Sequence, residues 1–290
     1  MISANMPQAR DLTIGQTDYS PLPKSSPVQY VQKDYIANLL GQTAKANRAV
    51  LSTMRLMHAH DLPVQVPENI TLDRFAELGS SDPDVAWPIF QALWKELTSS
   101  PKEDSAVSSK PEENPFRRPP ILLALDNVSH IMTTTRYQTV DKKGKLRPIH
   151  AHDLSIVRHF VDHLSGEKAL RNGGLVLAAT SESEHAKSDA LEVGIKIAEA
   201  RQNKSKAQNL DDFWDPYKFI DRRSLDSLRT VDVIKLNGLT RQEARTVMEY
   251  WAGSGMLRGT VVEEFVVEKW TLAGGGIVGE LEKAVVRMRV

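Results

Sequence analysis

The stretch RRPPILLALDNVSHIM, Arg117–Met132, indicates the fold. Two prolines precede an uninterrupted apolar run, Ile121–Leu125, which stops at the carboxylate of Asp126. Such a run is typical of a strand that is covered on both faces in a parallel sheet. Ligands of parallel α/β sheets bind beyond the carboxyl ends of the strands, and Asp126 is expected at that edge.

Two further apolar runs follow downstream, GGLVLAATS (Gly173–Ser181) and VDVIKL (Val231–Leu236). Helical patterns separate the runs: HDLSIVRHFVDHL (His152–Leu164), for which Asp153 is the expected N-cap, and SDALEVGIKIAEA (Ser188–Ala200). Strands that alternate with helices predict an α/β fold with a parallel sheet.

Upstream of the first run, the pattern changes from loop to helix. Residues 1–32 are predicted to be loop-like, beginning with the end of a strand, because prolines interrupt any regular element. Helices are expected from Lys33 to about Met57, from near Thr71, and after Asp82-Pro83, where the carboxylate can cap and the proline suits the first turn.

Composition also predicts the domain organisation. Residues 99–116 are rich in Pro, Ser and Glu and are predicted to form a disordered insertion, because they cannot bury enough apolar surface to offset their ordering entropy. Residues 237–290 are predicted to be a helical domain that opens with a capping box at Thr240 and Glu243. The α/β domain then spans 1–236.

The bulk composition excludes several classes of protein. Lys+Arg and Asp+Glu both number 37, and this balance argues against a wholly electrostatic nucleic-acid binder. Without cysteine there are no disulfides and no thiolate metal sites. No run approaches the roughly 18 apolar residues of a membrane span, and no feature indicates a homo-oligomer.

An apolar strand that ends in Asp126 is compatible with the Mg²⁺ site of an NTPase, although the carboxylate could instead cap the next turn. The following residue, Asn127, cannot act as a base at neutral pH, so hydrolysis is not expected. The phosphate-binding motif G-x-x-x-x-G-K-[ST] is absent from the sequence. The glycine run at Gly274–Gly276 has no lysine and no preceding strand.

Two groups of side chains allow alternative interpretations. The histidines at 150, 152, 159 and 163 could bind zinc, or could be ordinary surface residues on a partly exposed helix face. Basic clusters could be solvated loops, or could contact RNA phosphates without base stacking. These clusters are Arg117 and Arg118; Lys142, Lys143, Lys145 and Arg147; and Arg201 with Lys204 and Lys206.

Several segments together resemble the mitochondrial small-subunit ribosomal proteins of the death-associated-protein type, in their fungal form. The resemblance covers nearly the whole chain. Its most specific parts are ARDLTIGQTDYSPLP, PVQYVQKDYIANLL and LNGLTRQEARTVMEYWAGSGMLR. It implies mitochondrial (matrix) localisation, with small-subunit rRNA and neighbouring ribosomal proteins as partners.

The resemblance also implies an incomplete AAA+/STAND-like P-loop NTPase sheet with a C-terminal helical lid, and GTP/GDP with Mg²⁺ as the family's cofactor. A nucleotide hydrolase acting as a switch is the alternative function. Asp126 would be the metal ligand, with Asn127 beside it. Thr180 and Ser181 would be a polar sensor of the nucleotide. Two lid arginines would face the nucleotide, or would simply pair with Glu243 or Glu249; they are Arg241 and Arg245.

In one respect the sequence departs from the family pattern. The first strand, the phosphate loop and the second strand are expected upstream of the segment seen here, which begins with what resembles the tail of that second strand; this suggests an N-terminally truncated chain. In the strand order 5-1-4-3-2 of that fold, strand 1 lies between strands 4 and 5. Without it, Leu175–Ala179 and Val231–Leu236 are expected to face a vacant position in the sheet.

Overall fold

The computed structural model describes residues 1–6, 8–23, 25–58, 60–99, 118–141, 143–180, 186–205, 210–213 and 215–286. The insertion expected at 99–116 lies outside the described residues, except for Ser99. The chain divides into two compact units, Met1–Asp232 and Val233–Val290. The sequence-based boundary fell a few residues later, at 236.

The first unit contains most of the regular structure. Its elements are β1 (Ile2–Met6), α1 (Ala9–Thr13), β2 (Ser20–Pro21), β3 (Tyr30–Val31), α2 (Lys33–Ala46), α3 (Arg48–Leu51), α4 (Leu72–Ser81), α5 (Pro83–Thr98), β4 (Ile121–Leu125), β5 (Thr134–Val140), β6 (Leu146–His150), α6 (Ser155–Leu164), β7 (Gly174–Ala178), α7 (Asp189–Gln202) and α8 (Arg222–Asp226). The second unit consists of α9 (Arg241–Gly253), α10 (Glu263–Leu272) and α11 (Val278–Val285).

A three-stranded parallel sheet, in the order β1-β4-β7, forms the centre of the first unit. The expected α/β class with a parallel sheet is therefore confirmed. The third strand is not the expected one: Val231–Leu236 is not a strand, and the third strand is β1, which pairs with β4 on the side opposite β7. The strand end expected at the N-terminus is confirmed by β1, whereas the loop expected through residue 32 is wrong at α1, β2 and β3.

Among the described residues, the most buried side chains of the sheet lie on one face. On that face Ile2, Ile121 and Leu123 are almost fully buried, and α2 and α5 pack against the first two. On the other face of β7, Leu175 is 57% exposed and Leu177 49% exposed. The expectation of strands covered on both faces is therefore wrong for β7.

The side chain of Asn47 completes the outer edge of β1. Its Oδ1 accepts a hydrogen bond from Ser3 N (2.8 Å), and its Nδ2 donates to Ser3 O (2.7 Å) and to Thr43 O (2.8 Å). Asn47 adopts a φ of −114°, which ends α2 at Ala46. The helix expected to continue to Met57 is therefore interrupted at the residue that binds the sheet edge.

The predicted helix starts differ in accuracy. Asp82 caps α5 by accepting a hydrogen bond from Asp84 N (3.0 Å), and Thr240 and Glu243 form the predicted capping box of α9. Asp153 does not cap α6; its carboxylate pairs with Arg223 at 3.0 Å. A partner distant in the sequence has replaced the local cap.

The second unit has a hydrophobic core of its own, which includes Met248, Val266 and Leu281. The Gly274–Gly276 run joins α10 to α11, and all three glycines have positive φ. A Cβ at Gly276 would lie 2.2 Å from the Leu239 carbonyl oxygen. This glycine run therefore permits close backbone packing between two segments of the unit.

Candidate functional site

Asp126 lies where the sequence predicts, directly after the carboxyl end of β4. Its side chain is exposed, and Oδ1 accepts a hydrogen bond from Asn127 N (2.8 Å). Its carbonyl oxygen accepts one from Ala9 N (3.0 Å). The carboxylate thus lies at the edge of the sheet and also stabilises the following turn, so the geometry is compatible with both interpretations made from the sequence.

Asn127 begins that turn in a left-handed conformation, with a φ of 58°. Its side chain is buried, and Oδ1 has no hydrogen-bond partner within the described part of the chain. A buried amide oxygen is rarely left unsatisfied. This oxygen is therefore available to accept a hydrogen bond from a water molecule or a ligand.

Thr180 lies at the same edge of the sheet, two residues beyond β7. Hydrogen bonds from Ala179 N to Leu125 O (2.9 Å) and from Val128 N to Ala179 O (2.9 Å) hold this end of β7 beside the Asp126 turn. Thr180 is exposed, and Ser181 lies outside the described residues. The structure therefore brings Asp126 and Thr180 to adjacent strand ends.

The two predicted lid arginines have partners within the second unit. Arg241 lies over the ring of Trp270, at 5.1 Å from the centroid. Arg245 pairs with Glu249 (3.2 Å) and with Glu263 (2.8 Å). The alternative of pairing with Glu243 or Glu249 therefore matches Arg245, whereas Arg241 contacts an aromatic ring instead, and a role of either residue toward nucleotide stays a prediction.

The residues present do not by themselves fit a magnesium nucleotide. Phosphate binding of this type needs a glycine-rich loop with a lysine, and the sequence has no such motif. Among the described residues, no group of three or more His, Asp or Glu side chains could hold a metal ion. Asp126 and Thr180 could each contact a nucleotide, but the sequence provides no phosphate-binding loop beside them, so no catalytic step follows from these two residues.

The two arginines preceding β4 were predicted to contact RNA. Arg117 lies outside the described residues. Arg118 is only 4% exposed, and its guanidinium donates to Glu96 Oε2 (2.9 Å) and to Arg55 O (2.9 Å). The prediction is therefore wrong for Arg118, because an internal ion pair holds its charged group away from solvent.

The partner of that arginine, Glu96, is a buried polar centre that sequence reasoning missed. Its Oε1 accepts hydrogen bonds from His58 Nδ1 (2.7 Å) and His60 Nε2 (3.0 Å), and the backbone N–H groups of Met57 and His58 also donate to the carboxylate. Burial raises the pKa of Glu96, but the hydrogen bonds from His58, His60 and Met57 outweigh it and leave this pKa below its usual value. No local pattern indicates this, because the donors lie 22 residues downstream or 36 or more residues upstream.

The second basic cluster lies at the turn of an antiparallel hairpin, β5–β6, rather than in a loop without regular structure. Lys143, Lys145 and Arg147 are exposed, and Lys142 lies outside the described residues. The turn is held by Asp141, whose Oδ1 accepts from Lys143 N (2.8 Å) and Lys145 N (2.9 Å) and whose Oδ2 pairs with Arg147 (2.9 Å). The Lys145 N–H, foremost among these contacts, lowers the pKa of Asp141.

Tyrosines from the N-terminal segment support this hairpin. Tyr19 donates its hydroxyl to Gln138 O, and Tyr30 donates to Thr139 Oγ1 (2.8 Å). Gln32 Nε2 donates to the hydroxyl of Tyr137 at 3.0 Å. The half of β5 next to the turn is therefore held by residues more than 100 positions away in the sequence.

The expectation of surface histidines on a partly exposed helix face is wrong. His152 and His163 are buried, and Trp94 Nε1 donates to His163 Nε2 at 3.1 Å. His159 Nε2 is buried without a partner among the described residues. Burial, more than the neighbouring charges, lowers the pKa of all three, that of His152 to about 3. The rings of His159 and His163 pack against Trp94 of α5, whereas the ring of His152 packs against His150.

A family model for mitochondrial ribosomal death-associated protein 3 matches residues 1–284. The chain belongs to this family. It is 38% identical over 282 residues to the small ribosomal subunit protein mS29 of Neurospora crassa, an alignment that covers 97% of this chain and 55% of the relative. It is 26% identical over 250 residues to mS29 of Schizosaccharomyces pombe, covering 85% of this chain and 45% of the relative. The chain thus spans about half the length of the curated relatives it matches.

Membership confirms the resemblance to a fungal mitochondrial ribosomal family and supports the expected mitochondrial location. None of the helices in the described ranges has the length and hydropathy needed to cross a membrane.

Proposed function

We propose that this chain is a structural component of the small subunit of a mitochondrial ribosome, where it binds rRNA and neighbouring ribosomal proteins. The match to a mitochondrial ribosomal family over 1–284 carries the proposal. The test is co-sedimentation of the full chain with isolated mitochondrial small subunits. We expect the chain to sediment with them without nucleotide turnover, and a chain that stays in the supernatant would contradict the proposal.

For the rRNA contact, we propose the turn of β5–β6. Lys143 and Lys145 have no carboxylate partner among the described residues, and both extend from a turn that Asp141 holds in one conformation. Such cations contact phosphates without selecting a sequence. Arg147 forms an ion pair with Asp141, so we expect it to contribute less to RNA binding than the two lysines.

Binding to a small-subunit rRNA transcript at several salt concentrations tests this interaction. Replacing Lys143 and Lys145 by alanine is expected to lower the slope of log affinity against log salt by roughly 2, about 1 for each phosphate that the variant no longer neutralises. The matched control replaces Lys45 and Arg74, which are exposed on α2 and α4. An equal decrease in both variants would show that net charge, rather than the turn, governs binding.

A nucleotide-dependent switch with guanine nucleotide and Mg²⁺ is the second candidate, favoured by the position of Asp126 at the carboxyl end of the middle strand. The missing phosphate-binding motif opposes it. Equilibrium titration with GTP and with ATP separates the two candidates. Micromolar affinity that falls on Asp126→Ala would support the switch, whereas the structural role predicts no saturable binding to this chain.

A further inference from the structure

The turn Asp215–Ile220, DPYKFI, holds two aromatic rings in solvent. Tyr217 is 95% exposed and Phe219 is 84% exposed, while Lys218 between them points to the protein. Isolated exposed apolar side chains are common on protein surfaces. Two large rings that are almost fully exposed, two positions apart on one ordered turn, are unusual and indicate a recognition surface.

Hydrogen bonds hold the backbone of this turn in place, although the two aromatic rings are exposed to solvent. Asp215 Oδ1 accepts from Tyr217 N (2.9 Å), and Asp215 O accepts from Lys218 N (3.1 Å). Asp189, in the first turn of α7, accepts from Phe219 N at 3.1 Å. The rings are therefore presented on a preorganised loop, and little backbone entropy would be lost when they are buried by a partner.

The charges around the rings disfavour RNA as that partner. Nucleic-acid affinity depends mainly on cations that neutralise phosphates. Here Lys218 is paired with Glu192 at 2.6 Å, and Asp189 and Asp215 lie beside the same turn. The exposed Arg222, Lys187 and Lys196 lie close to these carboxylates in sequence or in space, so the surface is of mixed charge rather than basic. Exposed aromatic side chains on such a surface are typical of the anchor residues of protein interfaces, where each ring fills an apolar pocket.

We propose that Tyr217 and Phe219 are anchor residues that insert into an apolar pocket of a neighbouring protein, with cationic groups at the pocket's rim to complement Asp215. This inference rests on the proposed function, because the neighbour is a protein of the same small ribosomal subunit. The surface is separate from the β5–β6 turn that contacts RNA.

Site-specific photo-crosslinking in the assembled subunit tests the proposal. Benzoylphenylalanine replaces Tyr217 in the full chain or, as a matched control, the 70% exposed Tyr250 of α9. The expected result is an adduct from position 217 to an apolar segment of another subunit protein, with Lys or Arg nearby, that is absent from the control. An adduct to rRNA, an adduct within the same chain, or no adduct although the chain sediments with the subunit would overturn the proposal.

A double variant, Tyr217→Ser with Phe219→Ser, provides a second measurement. The affinity for small subunits is expected to fall roughly tenfold or more, with circular dichroism and melting unchanged because both rings are exposed. Tyr250→Ser should keep the affinity of the unmodified chain, and equal affinities for all three chains would overturn the proposal. If the unmodified chain fails to sediment with the subunit, the proposed function itself fails, and this inference fails with it.

Discussion

Glu96, near the end of α5, connects segments that are distant in sequence: His58 and His60 upstream, and Arg118 just before β4. Its side chain is fully buried beside the buried guanidinium of Arg118, at 2.9 Å. A buried pair of this kind adds little net stability compared with an apolar pair, but removal of one partner leaves the other charge buried and uncompensated. The position therefore tolerates substitution poorly.

Glu96→Ala is expected to lower the free energy of unfolding by about 3 kcal/mol or more, because Arg118 loses its counter-ion. Urea denaturation measures this. Glu77→Ala, on the exposed surface of α4, is the control and should change stability by less than about 0.5 kcal/mol. Equal effects of the two substitutions would mean that the Glu96 network does not stabilise the fold.

The buried histidines predict a dependence of stability on pH. In the folded chain the pKa of His152 is about 3, and those of His159 and His163 are also lowered from their usual value of 6.5. Below pH 6.5 the unfolded chain therefore binds more protons than the folded chain. The free energy of unfolding then falls as pH falls, by up to about 1.4 kcal/mol per pH unit for each histidine.

Urea titrations between pH 5 and pH 7 measure this slope, a range in which carboxylates contribute little. His152→Leu removes one titrating group, so the slope should decrease by about 1.4 kcal/mol per pH unit near pH 5. The slope, rather than the stability at one pH, is the readout, since the substitution also changes packing. An unchanged slope would show that His152 is protonated in the folded state.

At the scale of elements, β7 shows what an apolar run can and cannot predict. The run GGLVLAATS predicts a strand correctly, because its five strand residues favour extended structure beside β4. The run cannot predict whether each face of the strand is buried, because that depends on which helices pack against each face of the sheet. All the residues of β7 are apolar, yet only Val176 and Ala178 contact the core.

Leu123→Ala and Leu177→Ala, on opposite faces of adjacent strands, test this asymmetry. Leu123 is 2% exposed, and its truncation is expected to cost about 2–5 kcal/mol of unfolding free energy. Leu177 is 49% exposed, and its truncation should cost less than about 1 kcal/mol. Thermal or urea denaturation compares them, and similar costs would show that the second face is also covered in solution.

At the scale of the whole molecule, the sequence predicts the class and most helices, while contacts between distant segments explain the errors. Val231–Leu236 has the composition of a strand, but the sheet described here gives it no pairing partner. Arg118 belongs to a basic dipeptide that suggests an exposed position, but its side chain is buried in an ion pair with Glu96. At the candidate nucleotide site, the position of Asp126 could be predicted from the strand that precedes it. The burial of Asn127 could not be predicted, because it depends on the three-dimensional conformation of the turn.

Each unit has its own hydrophobic core, so truncation of a core residue should act mainly within its own unit. Phe75→Ala and Met248→Ala, both at fully buried positions, are expected to cost about 2–5 kcal/mol each. Hydrogen exchange by mass spectrometry should show faster exchange in α4 and α5 for the first variant, and in α9 to α11 for the second. Faster exchange throughout the chain in either variant would contradict this.

The amide of Asn47 makes the two margins of the central sheet chemically unequal. An incoming strand at the β1 margin would have to displace both hydrogen bonds between Asn47 and the Ser3 backbone. The β7 margin has no such clamp among the described residues. We therefore expect that a further strand, from a partner or through self-association at high concentration, would add at the β7 margin rather than at the β1 margin.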